Sequence, residues 1–213
     1  MDAQLQRATL ARATTEKISF QDYLKTYDSF EGGRTEWLAG EVAIYTMTNN
    51  TRHQELIFLL AMFFEAFLSR HTLGRVFLAG LPMFISDEQP AREPDLLIVL
   101  NEHQGRIKPT YLEGLADIVV EVVSPESVAR DRGEKFTEYE AAKVPEYWLI
   151  DPQRMEMRMY VLTADGVYHA IEQDTQGNLH STVLPKFVLD PSILWTEELP
   201  RISQVIALVE QMG

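Results

Sequence analysis

The chain contains no cysteine. That excludes disulfides, thiolate metal sites and cysteine nucleophiles, and it fits a reducing compartment such as the cytoplasm, where we expect the protein to reside. Other absences narrow the chemistry further. The sequence has no Walker loop, no dinucleotide-type glycine fingerprint, no nucleophile elbow and no histidine pair at zinc spacing. No Gly/Ser/Pro-rich linker, fixed-period repeat or low-complexity tract interrupts it. The longest apolar run, Leu56 to Leu68, is broken by Glu65 and is shorter than the roughly 20 residues a membrane span needs, so it reads as a buried helix and no membrane partner is expected. An excess of positive charge is also missing. The net charge of −13 argues against a protein that coats nucleic acid by electrostatics alone, because phosphate contacts need clustered Lys and Arg. A local basic patch, or an acidic site that binds divalent cations, remains compatible with a nucleic-acid partner.

With 213 residues, 46% hydrophobic and 24% charged, the chain has the composition of one well-packed globular domain. Residues 1–15 are polar and alanine-rich, and we expect a flexible amino-terminal arm there and a single domain over 16–213. The arm lacks the apolar centre of a secretory signal. Residues 18–27 have amphipathic spacing with Ser19 as a cap, and residues 34–47 read as a hairpin turning at Ala39-Gly40 with Glu41 just past the turn. The capping-box pattern Thr51-Arg52-His53-Gln54 predicts a long central helix from about Thr51 to Ser69. Strands are expected over 75–79, 83–86, 95–100 and 117–123, then a helix over 127–143 that ends before Pro145. Further strands follow at 146–151 and 155–162, the latter with Met155, Met157, Met159 and Val161 facing inward, and residues 202–212 make a closing helix. Strands and helices neither alternate strictly nor segregate, so the fold class is α/β, a mixed β-sheet flanked by helices.

The chemistry concentrates in carboxylates. Glu121 interrupts the apolar run Ile118-Val119-Val120-Glu121-Val122-Val123. A short β-branched run bounded by turn residues reads as a buried strand, and an ionised carboxylate there costs several kcal/mol unless a cation, metal or donor compensates. Asp95 heads a second apolar run, Leu96 to Leu100. Two acids on what read as neighbouring core strands suit a shared metal ion.

Several blocks resemble the Uma-two family of endonucleases, which belongs to the PD-(D/E)XK, restriction-endonuclease-like superfamily. They are Pro94-Asp95, the run Asp117 to Ser127 around Glu121, Asp131-Arg132-Gly133-Glu134-Lys135 with Tyr139, and Val144 to Pro152. Gly40-Glu41, His53 and the stretch Ser181 to Pro185 extend the likeness over most of the chain beyond its first fifteen or so residues. The resemblance implies a restriction-endonuclease-like fold and an Mg²⁺-dependent endonuclease, with Mn²⁺ able to substitute, that hydrolyses phosphodiester bonds in DNA. Carboxylates, waters and substrate phosphate are the ligands Mg²⁺ takes. Asp95 and Glu121 would then be metal ligands, the Val122 carbonyl a backbone ligand beside them, and Glu41 an auxiliary acid for a second ion or a bound water. The superfamily places a lysine two positions after the second acid, where this chain has Val123, and Lys135 on the following helix stands as its replacement. A nuclease of this size needs two sites to cut two strands, so a homodimer is the expected assembly, with residues 202–212 a candidate surface.

Blander readings compete. Glu121 as a strand-end ion pair, Asp95 as a turn acid, Lys135 as one charge of a solvated helix face paired with Asp131, His53 as a structural histidine and Glu41 as an exposed acid are the ordinary uses of those residue types. Tyr147-Trp148 is core. Two other functions stand beside the nuclease: a non-catalytic, metal-dependent nucleic-acid-binding or regulatory module on the same fold, and a metal-free paired-carboxylate hydrolase acting on sugars.

Overall fold

A computed structural model of the chain describes residues 11–12, 17–26, 34–45, 50–124, 127 and 130–212. Of the expected amino-terminal arm, only the backbone of Ala11–Arg12 is among them, as a short strand paired with Ile44 and Ala43. The first turn of the expected helix over 127–143 also lies largely outside the described residues.

Helix α1 (Phe20–Thr26) begins where Ser19 Oγ accepts the Asp22 N–H. A hairpin follows, β1 (Arg34–Leu38) against β2 (Glu41–Tyr45), closed at Ala39 and Gly40, which both have positive φ. That backbone matches the twist of the strands. Helix α2 runs from Thr51 to His71, and its N-cap is Asn50, whose side chain accepts from the His53 N–H, so the cap stands one residue before the one expected.

The main sheet has six strands in sequential order: β3 (Gly74–Leu78), β4 (Leu96–Leu100), β5 (Ile118–Val122), β6 (Glu146–Asp151), β7 (Glu156–Leu162) and β8 (Tyr168–Ala170). Only β5 and β6 run parallel; the other neighbours are antiparallel. The parallel pair needs a crossover, and helix α3 (Lys135–Ala142) supplies it. This is the mixed α/β sheet flanked by helices that the sequence predicts.

The helical stretch before β6 differs from expectation. Its α-helix begins only at Lys135, after a wider, π-type turn over Arg130–Glu134. It ends at Lys143, which adopts a left-handed conformation just before Val144-Pro145. Strand β7 alternates as expected at Met157 and Met159, but Met155 sits outside it at positive φ and is 65% exposed.

Strand alternation divides the core. Leu96, Ile98, Val120, Val122, Trp148 and Ile150 face α2 and the closing helix α4 (Ile202–Glu210), with Phe64 packed on Trp148. Leu97, Val99, Val119, Val123, Tyr147 and Leu149 face α3. Tyr147 and Trp148 are both fully buried, as expected of core residues. Among the described residues no helix is long and apolar enough to cross a membrane.

Candidate active site

The register of β4 against β5 builds the site. Leu96 pairs with Val120 and Leu97 with Val119 in antiparallel sense, so continuing by one residue sets Asp95 opposite Glu121. Both side chains fall on the α3 side of the sheet by alternation. Like charges directly opposed on one face destabilise a sheet, and here both are buried.

Cations and donors gather round them. Asp95 Oδ2 accepts the Val122 N–H at 2.9 Å and lies 3.3 Å from His53 Nε2, while Oδ1 lies 3.2 Å from Arg34 Nη1. Burial lowers the His53 imidazole, but Asp95 and the Val122 backbone outweigh it and hold it above its ordinary value. Glu121 Oε1 accepts from Lys135 Nζ at 2.6 Å and from the Tyr139 hydroxyl at 2.8 Å. Asp131, Lys135 and Tyr139 recur every four residues, and all three are buried beneath one face of the turn and helix. Lys135 is therefore not part of a solvated face.

The structure thus brings Asp95, Glu121, the Val122 backbone, Lys135 and His53 together. It does not bring Glu41 with them. Glu41 pairs with Leu38 at the turn end of the hairpin, and the hairpin acid that enters the cluster is Glu36. Glu36 Oε2 accepts from Arg92 Nη1 at 2.7 Å, and its Oε1 is 3.8 Å from Lys135. Arg92 also grips Glu138 with two nitrogens, at 2.6 and 2.8 Å. Glu36 and Arg92 give weak signals in the sequence. A single acid in a five-residue hairpin strand looks solvated, although Arg34, Glu36 and Tyr45 share the face opposite Trp37 and Val42. Asp131 offered a better one, its spacing to Lys135 and Tyr139.

The electrostatics are uneven. Burial raises the Asp95 carboxyl, but His53, Arg34 and Lys135 outweigh it and hold the group well below the usual carboxylate range. Glu36, also buried, is held at about 2 by Lys135, Arg92, Arg34 and Arg130. Glu121 goes the other way: burial raises it, Lys135 compensates only in part, and the charges of Asp95 and Asp131 add to the rise, to about 7. Asp131 is raised by burial, and its Oδ1 is a buried atom without a hydrogen-bond partner. Lys135 would be lowered by burial, but Glu121, Glu36 and Asp131 raise it, so its ammonium stays charged.

A divalent cation would relieve the repulsion that Asp95 and Asp131 exert on Glu121. Among the described residues no three carboxylates or imidazoles converge as a metal-holding group. Asp95 and Glu121 nevertheless supply two carboxylates and Val122 a carbonyl, a donor set that fits Mg²⁺, which leaves its remaining positions to water and substrate phosphate.

The mixed sheet, its opposed acids and the lysine on the crossover helix define a restriction-endonuclease-like fold. The chain belongs to the Uma2 (Uma-two) family, described as putative restriction endonucleases, whose model matches residues 20–192. Its fold is similar to that in the crystal structure of a putative nuclease belonging to DUF820 from Anabaena variabilis, with a TM-score of 0.66 at 14% identity over 84% of this chain and 97% of that one. At that identity the likeness speaks for the fold. No curated protein matches the chain.

Proposed function

We propose that the protein is a divalent-metal-dependent endonuclease that hydrolyses phosphodiester bonds in DNA. One observation carries the reading: the register that opposes Asp95 and Glu121 also sets them beneath Lys135, on the one face the crossover helix covers. Asp95, Glu121 and the Val122 carbonyl would hold Mg²⁺, or Mn²⁺ in its place. The ion, when bound, would lower the pKa of its water and neutralise charge gathering on the phosphate.

The chain's own residues do the rest. Lys135 stays charged, so it cannot take a proton; it donates hydrogen bonds to the attacking water or to phosphate oxygens and stabilises negative charge as it develops. Tyr139 fixes one oxygen of Glu121, and His53 with the Val122 N–H fixes one of Asp95. Glu36 and Asp131 hold the lysine from the far side, at 3.8 and 3.6 Å. Two strands need two sites, and we place a second copy against the groove of roughly 720 Å³ between α2, α4 and β3, where Phe58, Leu78, Ile202 and Ile206 are exposed.

A second reading has its own support. Asp95 and Glu121 already have cationic partners in Arg34 and Lys135, which suits a module that binds nucleic acid without cutting it. Incubation of supercoiled plasmid with wild type, D95N and K135M, with MgCl₂, MnCl₂ or EDTA, tests the proposal. Cleavage by wild type with a divalent ion, absent in both variants and in EDTA, supports it. Metal-enhanced DNA binding without any cleavage would favour the second reading.

A further inference from the structure

Three arginines enter the site, and they are not bonded alike. Arg92 is saturated, with Nε and Nη2 on Glu138 and Nη1 on Glu36. Arg34 uses Nε on Glu93 and Nη1 on Asp95, both at 3.2 Å, and its buried Nη2 has no acceptor. Arg130 stands over Tyr45, its guanidinium carbon 4.1 Å from the centre of the ring. Its Nε is 3.7 Å from Asp131 Oδ1, beyond hydrogen-bond reach, and is likewise buried without an acceptor.

The hairpin links the two through Tyr45. Arg34 and Tyr45 are direct partners in the β1–β2 register, so the ring that carries Arg130 stands across from Arg34 on the same face. Both cations act on the same buried carboxylate, Glu36. Stacking on an aromatic face fixes the plane of a guanidinium while leaving its N–H edge for another partner. Of the neighbouring acids, Glu93 and Asp95 are engaged by Arg34 and Asp131 Oδ2 by Ser127, while Asp131 Oδ1 stands 3.6 Å from Lys135 and 3.7 Å from Arg130 without a hydrogen bond to either. Arg132 also has an unpartnered Nε, but it is turned to Asp151 and Glu156.

Buried donors without acceptors are rare, and a pair of them beside an acidic site points to a missing anion. We propose that Arg34 and Arg130 form a phosphate clamp that grips the DNA backbone next to the bond to be cut. The non-bridging oxygens of a phosphodiester can accept from Arg34 Nη2 and from the Arg130 guanidinium at once. The clamp rests on the nuclease reading and gives this chain of net charge −13 the local cations its substrate requires.

Fluorescence anisotropy with a fluorescein-labelled DNA duplex tests it, in EDTA so that nothing is cut and over a series of NaCl concentrations. R130Q should bind about tenfold more weakly at low salt, and its log K against log[salt] should be shallower by about one unit, one phosphate contact having been lost. R130K should keep the wild-type slope while losing affinity several-fold, because it retains the charge but not the fork. R154Q, at an arginine 62% exposed on its side chain, should match wild type. Thermal melts establish that the variants fold. If R130Q does not, R130K carries the test, and wild-type affinity in R130K overturns the clamp. A folded R130Q with wild-type affinity and slope also overturns the clamp while the nuclease reading stands. Wild type that binds no DNA in EDTA overturns the clamp, and wild type that also binds none with Ca²⁺ in place of EDTA removes the nuclease reading as well.

Discussion

Lys135 Nζ lies 2.6 Å from Glu121 Oε1, joining the crossover helix to the central strand in a buried ion pair. Two further carboxylates, Glu36 and Asp131, stand within 3.8 Å of the same ammonium. Removal of this cation leaves three buried acids under-compensated. K135M should lose cleavage and should also be destabilised by about 3–5 kcal/mol in EDTA, as expected when one partner of a buried ion pair is deleted. A divalent ion should restore more stability to K135M than to wild type, since it no longer competes with the ammonium for Glu121. Urea unfolding with EDTA and with Mg²⁺ checks both statements.

Glu121 sets a pH dependence of unusual sign. Its carboxyl is raised from an ordinary 4.5 to about 7 in the folded chain. Between those values the unfolded chain has released the proton and the folded chain keeps it, so stability falls as pH rises through that window. Glu36, held at about 2, acts in the opposite sense; the stability it contributes is present above the ordinary carboxylate range and is lost on acidification below it. Metal-free protein should therefore lose stability as pH rises from 4.5 to about 7. E121Q, which keeps an acceptor for Lys135 and Tyr139, should flatten that decline and melt higher than wild type at alkaline pH in EDTA. Melts across this range decide it; a steady rise in wild-type stability with pH would show that Glu121 is ionised throughout.

The fold was more legible than the site. Glu121 announced itself because a charge inside a β-branched run has no ordinary explanation, and the antiparallel register then fixed where Asp95 had to stand. Lys135 was ambiguous, since a charged stretch from Arg130 to Glu140 reads equally as a solvated face; only the wider turn before it and the burial of Asp131 and Tyr139 decide its direction. Glu36 and Arg92 escaped because their meaning lies in contacts 56 positions apart, which periodicity does not report. Asn50 caps the helix while Thr51, one residue later, presents the same capping chemistry, so the sequence pattern does not separate the two.

Tyr139 donates to Glu121 from a fully buried position. Y139F should cost about 1.5–3 kcal/mol, the range for hydrogen bonds to charged groups, and should push the Glu121 carboxyl higher still. If Tyr139 is instead mere packing, Y139F will match wild type in urea midpoint and in the pH dependence just described.

Glu146 supplies a control away from the site. Its two oxygens accept from Trp148 Nε1, Ser181 Oγ, the Thr182 N–H and hydroxyl, and the Val183 N–H, tying the stretch around Ser181 to the sheet. E146A should cost about 3 kcal/mol or more, because several buried donors lose their acceptor together. At temperatures where the variant is folded, its divalent-ion affinity should equal that of wild type, measured by calorimetric titration.

The most direct measurement is an anomalous difference map from crystals of the protein soaked in Mn²⁺. We expect one peak bound by Asp95, Glu121 and the Val122 carbonyl, with Lys135 displaced from Glu121 yet still beside it. A peak bound elsewhere, or no peak with Glu121 still paired to Lys135, would contradict a metal-dependent nuclease site and leave the two acids as members of a structural ion-pair network.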